Sequence, residues 1–264
     1  VTISLDCEPR VVDVLRGDRQ KRPRLDTTSA AGLRAQLEDG IHDIFTKDLP
    51  PSPLVVRPSS LRESWHATDL SSSTLGLIRG ALVTQLLRLR LVGVTIDNAF
   101  DDAVAAWRAD AGAGPLLATF DQLDGDDRAR LATDVTAHDV TLSRCFGQLP
   151  SHWMARSCVR ATQRLAGGHV ILRDVVDLTI GANTAESTTV VLVDVTTSPL
   201  GESAERTLRF HALVETLRTS VVPLRSAVFS SATGEFWTRD IEPELLARSV
   251  DDVLEVLQAL WSAR

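Results

Sequence analysis

The stretch Arg173–Leu200, RDVVDLTIGANTAESTTVVLVDVTTSPL, decides the fold. Two β-branched runs, HVILRDVVDLTIG and STTVVLVDVTT, flank the polar segment GANTAES and read as two strands joined by a turn. Each run carries an aspartate near its end, Asp177 in the first and Asp194 in the second. A hairpin brings such a pair together, and paired carboxylates are the hard oxygen ligands that magnesium or manganese takes. The backbone carbonyl of Val195 could add a further oxygen. Thr196 lies two residues beyond Asp194 and therefore on the same face of its strand.

Working outward, Ser151 caps a predicted helix HWMARSCVRATQRLA that closes at Gly167-Gly168. Arg156, Arg160 and Arg164 fall on it at i, i+4 and i+8, a positive stripe that is either a phosphate track or a solvated helix face. Downstream come a helix from Glu202 to Thr219, a third strand in SVVPLRSAVFSS and a fourth in EFWTRDI. A last amphipathic helix opens with Pro243 in its first turn. Residues 151–264 thus read α-β-β-α-β-β-α, an α/β core with a mixed sheet flanked by helices. Residues 27–150 read as a mainly helical region packed on that core. They hold a helix through AAGLRAQLEDGIHDIFTK, the proline-rich connector LPPSPLVVRPSS, a capping cluster SSST at 71–74 and three more helices. Residues 1–26 form an arm with a short strand, VTISL. Its basic segment RGDRQKRPRL is either a solvated tail or a contact for phosphate.

Composition excludes several classes. The longest apolar runs are far too short to span a bilayer, and no secretory signal opens the chain, so no membrane partner and a cytoplasmic location are expected. Net charge is −7, so any nucleic-acid contact must come from local basic patches. Cys7, Cys145 and Cys158 are scattered with no CxxC, which predicts reduced thiols, no structural zinc and no iron-sulfur cluster. Without GxGxxG or GxxxxGK[ST], no nucleotide cofactor is expected; without GxSxG, no serine hydrolase. The acidic run DQLDGDD at 121–127 reads as a turn and helix start. Of the six histidines only His211 lies where it could face the two aspartates; core packing is its other reading.

The order VDLTIG–turn–VLVDVTT–helix resembles the PD-(D/E)XK nuclease superfamily in its RecB-like branch, across Trp153–Trp261. The resemblance implies a restriction-endonuclease-like fold and metal-dependent DNA cleavage, with Asp177 and Asp194 as catalytic metal ligands for magnesium or manganese. It also exposes departures. The motif lysine is Thr196, the histidine of an upstream "rGtxxH" pattern is Thr84, and the helix tyrosine is His211. The glutamate of the preceding helix has no equivalent near Ser157 or Cys158. The only lysines, Lys21 and Lys47, lie outside the α/β core, and arginine is too basic to shuttle protons in a lysine's place. The expectation is therefore a catalytically impaired nuclease-fold protein that binds DNA through Arg156, Arg160 and Arg209 in repair or defence. An active nuclease and a non-enzymatic protein-interaction module stand as alternatives.

Overall fold

The computed structural model describes residues 10–17, 22–23, 28–45, 49–62, 74–110, 114–147, 149–150, 152–184 and 187–263. In chain order its elements are α1 (Val11–Gly17), β1 (Arg22–Pro23), α2 (Thr28–Ile44), β2 (Leu54–Val56), α3 (Pro58–Arg62), α4 (Thr74–Leu91), α5 (Ala99–Ala109), α6 (Gly114–Asp121) and α7 (Gly125–Thr141), which runs into a π-turn. There follow β3 (Ala155–Leu165), β4 (Val170–Ile180), β5 (Ser187–Thr188), β6 (Val191–Thr196), α8 (Glu202–Thr219), β7 (Arg225–Ser230), β8 (Phe236–Asp240) and α9 (Pro243–Ser262). The fold is α/β. A mixed six-stranded sheet runs β2-β4-β6-β7-β8, with β3 on the remaining edge of β4. No helix among the described residues is long and apolar enough to cross a membrane.

The largest departure from the sequence reading is at 155–165. The expected helix is a strand, β3, paired antiparallel with β4 from Ala155↔Ile180 to Leu165↔Val170. The arginine spacing that suggested a helix does not discriminate. Four residues make roughly one helical turn, but four is also even, so Arg156, Arg160 and Arg164 suit a strand just as well. The underlying alternation, Ala161 and Leu165 buried against exposed Arg160, Thr162 and Arg164, has the period of a strand. Gly167 and Gly168, at φ 63° and 97°, do not cap a helix; they turn β3 back into β4. Glu38 on α2 accepts the Ala166 N–H at that turn (2.7 Å).

The region 27–150 is mainly helical and packed on the core, as expected, and it contributes to the cores on both sides of the sheet. Leu37, Ile41, Leu54, Val56 and Leu61 join Phe210, Leu213 and Val253 in a core that α2, α3, α8 and α9 build on one side of the sheet. β2, which pairs parallel with β4, is part of the sheet itself. A second core holds Ile78, Leu82, Leu86, Trp107, Phe120 and Val135 from α4 to α7 against Val191, Val193, Ala227 and Phe229 of the sheet. Val11, Val12 and Leu15 of α1 are buried in this second core, whereas most of the basic segment at 16–25 lies outside the described residues. The expected strand at residues 1–5 lies outside the described residues. Cys145 is disulfide-bonded, against the expectation of three reduced thiols, whereas Cys158 is free.

Candidate functional site

β4 changes the face it presents part-way along. Val170 and Leu172 pack into the α8 core, whereas Leu178 and Ile180 pack into the opposite one, although strict alternation would put all four on one side. Across the hairpin the change is accommodated at Cys158, which stands opposite Asp177 and is held at φ 51°. The switch lets two acids three residues apart, Asp174 and Asp177, both reach toward α8.

β4 and β6 pair at Ile180↔Val191, Thr179↔Leu192 and Leu178↔Val193. One step further along this register places Asp177 opposite Asp194. The backbone ladder has ended there, and the carboxylate of Asp177 takes over by accepting the Val195 N–H at Oδ2 (2.9 Å). The structure thus brings together the two aspartates that the hairpin predicted. Asp194 is buried and Asp177 half-buried.

α8 closes the site from above. Most of its residues are buried, so its single histidine is carried into the interior. His211 is 1% exposed, and its Nδ1 lies 2.8 and 2.9 Å from the two oxygens of Asp174, itself 1% exposed. The other ring nitrogen, Nε2, is buried without a hydrogen-bond partner and points at Asp194, whose Oδ1 is 3.7 Å away. Both readings of His211 therefore hold, since it is a core residue and it faces the acids. Asp174 escaped the sequence reading. Its signal was present, because in VILRDVVD it shares the inward register of Val170 and Leu172.

These contacts shift the ionisation of the cluster. Burial, then the adjacent charge of Asp194, pushes Asp177 up to about 8, against the pull of the Val195 N–H. Burial alone would lower His211, but the charge and hydrogen bond of Asp174, followed by Asp194, raise it to about 10. The Cys158 thiol is raised by burial and by Asp177. Among the described residues, no three acidic, imidazole or thiol groups stand as a formed metal cage. The chemistry of the donors, two facing carboxylates and an orphaned buried imidazole nitrogen, nevertheless suits a divalent cation.

The other expected residues separate. Thr196 is half-buried at the end of β6, where its hydroxyl accepts the Ser198 N–H (3.2 Å) and its carbonyl accepts the Ser231 N–H (2.8 Å). Thr84 donates its hydroxyl back to Gly80 O within α4 (3.0 Å). Lys21 and Lys47 lie outside the described residues. Arg156, Arg160 and Arg164 are exposed on β3 and, with exposed Arg173 on β4, form no ion pair among the described residues. Arg209 does not belong with them. Its Nε donates to Asp252 (2.8 Å) in a largely buried tie between α8 and α9, so its charge is paired within the fold.

No family profile matches the chain, and no curated protein matches it. Among solved structures, the crystal structure of SSO0001 aligns over 85% of this chain and 84% of that one, at 7% identity and a TM-score of 0.33, a likeness that carries no functional argument.

Proposed function

We propose that this chain is a PD-(D/E)XK-type scaffold of the RecB-like branch, catalytically impaired, that works in the cytoplasm by binding DNA in repair or defence. The observation that carries this reading is the end of β6. Asp177 and Asp194 face each other there, as a metal-dependent phosphodiesterase requires, while the position two residues on is Thr196, its hydroxyl engaged in a local turn. Hydrolysis needs a polarised phosphate and an activated water, and a nearby cation stabilises the developing charge; a threonine supplies no such charge. DNA binding draws support from Arg156, Arg160 and Arg164, which are exposed and form no ion pair among the described residues. On a strand they stand roughly 13 Å apart and present a line of positive charge along the hairpin, as phosphate contacts require.

The test is one assay with two readouts, on single- and double-stranded DNA with Mg²⁺ and Mn²⁺. The native chain is expected to retain DNA in a salt-sensitive way without cutting it. Cleavage by the native chain, abolished in Asp177→Ala and Asp194→Ala, would overturn the impaired reading in favour of an active nuclease. Neither binding nor cleavage would leave a protein-interaction module.

A further inference from the structure

His211 stands out because it is tightly positioned by one acid and presented, without a hydrogen bond, to another. Nδ1 is seated on both oxygens of Asp174, so the N–H on that side is committed and the ring cannot turn. That leaves Nε2 as the presented atom, buried and without a hydrogen bond, and a metal bound there would displace its proton. Its separation from Asp194 Oδ1, 3.7 Å, is too long for a charge-assisted hydrogen bond of about 2.7–2.9 Å. It suits two donors that share one cation at roughly 2.0–2.2 Å each. A carboxylate on the far nitrogen of an imidazole is the arrangement that fixes the tautomer and raises the basicity of a metal-binding histidine.

We propose that His211 Nε2 is the nitrogen ligand of a divalent transition-metal site completed by Asp194 and Asp177, with Asp174 as the positioning residue behind the ring. This rests on the reading of the acid pair as a nuclease-type site and adds a ligand from α8 that the motif does not supply. The donor set defines the class of ion. Two carboxylates alone accept magnesium, but imidazole favours manganese and the later first-row ions over magnesium. The site therefore discriminates between the two cations that the acid pair by itself would accept alike.

The test is binding of Mn²⁺ alone to the full chain, read by electron paramagnetic resonance of free Mn²⁺ and by the melting temperature with Mn²⁺ or Mg²⁺. Saturable Mn²⁺ binding is expected, with a larger rise in melting temperature for Mn²⁺ than for Mg²⁺. His211→Gln should weaken Mn²⁺ at least tenfold and abolish the preference. Asp174→Asn should weaken it by about ten- to a hundredfold, as loss of the group behind a ligand does. Should His211→Gln fail to fold, nitrogen-15 resonances of the native imidazole give the answer, because Mn²⁺ bound at Nε2 broadens the His211 signals before those of any other histidine. No saturable binding, equal responses to both ions, or an unaffected His211 resonance would each overturn the inference. DNA retention without cleavage would leave the scaffold reading standing in any of those cases. Cleavage with Mn²⁺ would remove the impaired reading while leaving this site intact.

Discussion

Asp174→Asn in metal-free buffer isolates what the buried Asp174–His211 pair contributes. Both groups are 1% exposed and in direct contact at 2.8 and 2.9 Å. Removing one member of such a buried pair costs about 3–5 kcal/mol. Asparagine keeps an acceptor for the Nδ1–H and loses the charge, so the lower end, about 3 kcal/mol, is expected near pH 6.5. The pH dependence follows from the raised ionisation of His211. A histidine raised from 6.5 to about 10 adds stability that is fully present below 6.5 and is lost as pH climbs through about 10. Asp177, raised from 3.8 to about 8, acts in the same direction, because the fold holds a proton that the unfolded chain has released. The native chain should therefore lose stability between pH 6.5 and 10, and the deficit of Asp174→Asn should shrink across that window. Urea denaturation at three pH values measures both. A native chain that gains stability on going to pH 10, or a deficit equal at every pH, would refute the account of a charged buried pair.

Gly181→Ala should cost roughly 2–3 kcal/mol, read as a lowered melting temperature, because Gly181 sits at φ 89° and a Cβ there would collide with the Thr189 carbonyl. Asp252→Ala should cost about 1.5–3 kcal/mol in urea unfolding by releasing Arg209 and Arg206 from the α8–α9 contact, without strengthening DNA binding if Arg209 is structural. The pair Arg160→Glu and Arg164→Glu should leave urea midpoints unchanged. For each arginine taken off a phosphate, the salt slope of DNA binding should fall by about one, measured by fluorescence anisotropy over a salt series.

The parts legible in the sequence were those whose local pattern is also their tertiary role. β4 and β6 showed β-branched alternation, α8 ran from Glu202 to Thr219 as its pattern indicated, and Pro243 marked the first turn of α9. The missed parts depend on partners distant in the chain. β2 is only Leu54–Val56 in a proline-rich run, and it becomes a strand because β4 offers a parallel edge. β3 hid behind an arginine spacing compatible with both periods. Arg209 read as a free cation because Asp252, its partner, lies on another helix. The meeting of Asp177 with Asp194 was local enough to foresee. The seat of His211 on Asp174 was not, since it needs the change of face in β4.

Thr196→Lys is informative because the position tolerates the change. The ties that hold the end of β6 are mostly backbone. The Thr196 carbonyl accepts the N–H (2.8 Å) and hydroxyl (2.9 Å) of Ser231, and neither bond uses the threonine side chain. Only the Ser198 cap on Oγ1 would be lost, a single half-exposed hydrogen bond of about 0.5–1.5 kcal/mol. The side chain is half-buried, so a lysine can lay its stem on the strand end and carry its ammonium outward. Unfolding midpoints should thus stay close to native, and any change in DNA cleavage would report chemistry. Cleavage that appears with lysine and requires both Asp177 and Asp194 would mean the acid pair is competent and only the cation beside the phosphate is missing. A well-folded Thr196→Lys chain that still cuts nothing would place the deficit in the site's other departures, Thr84 among them, and one restored residue would not rebuild the activity.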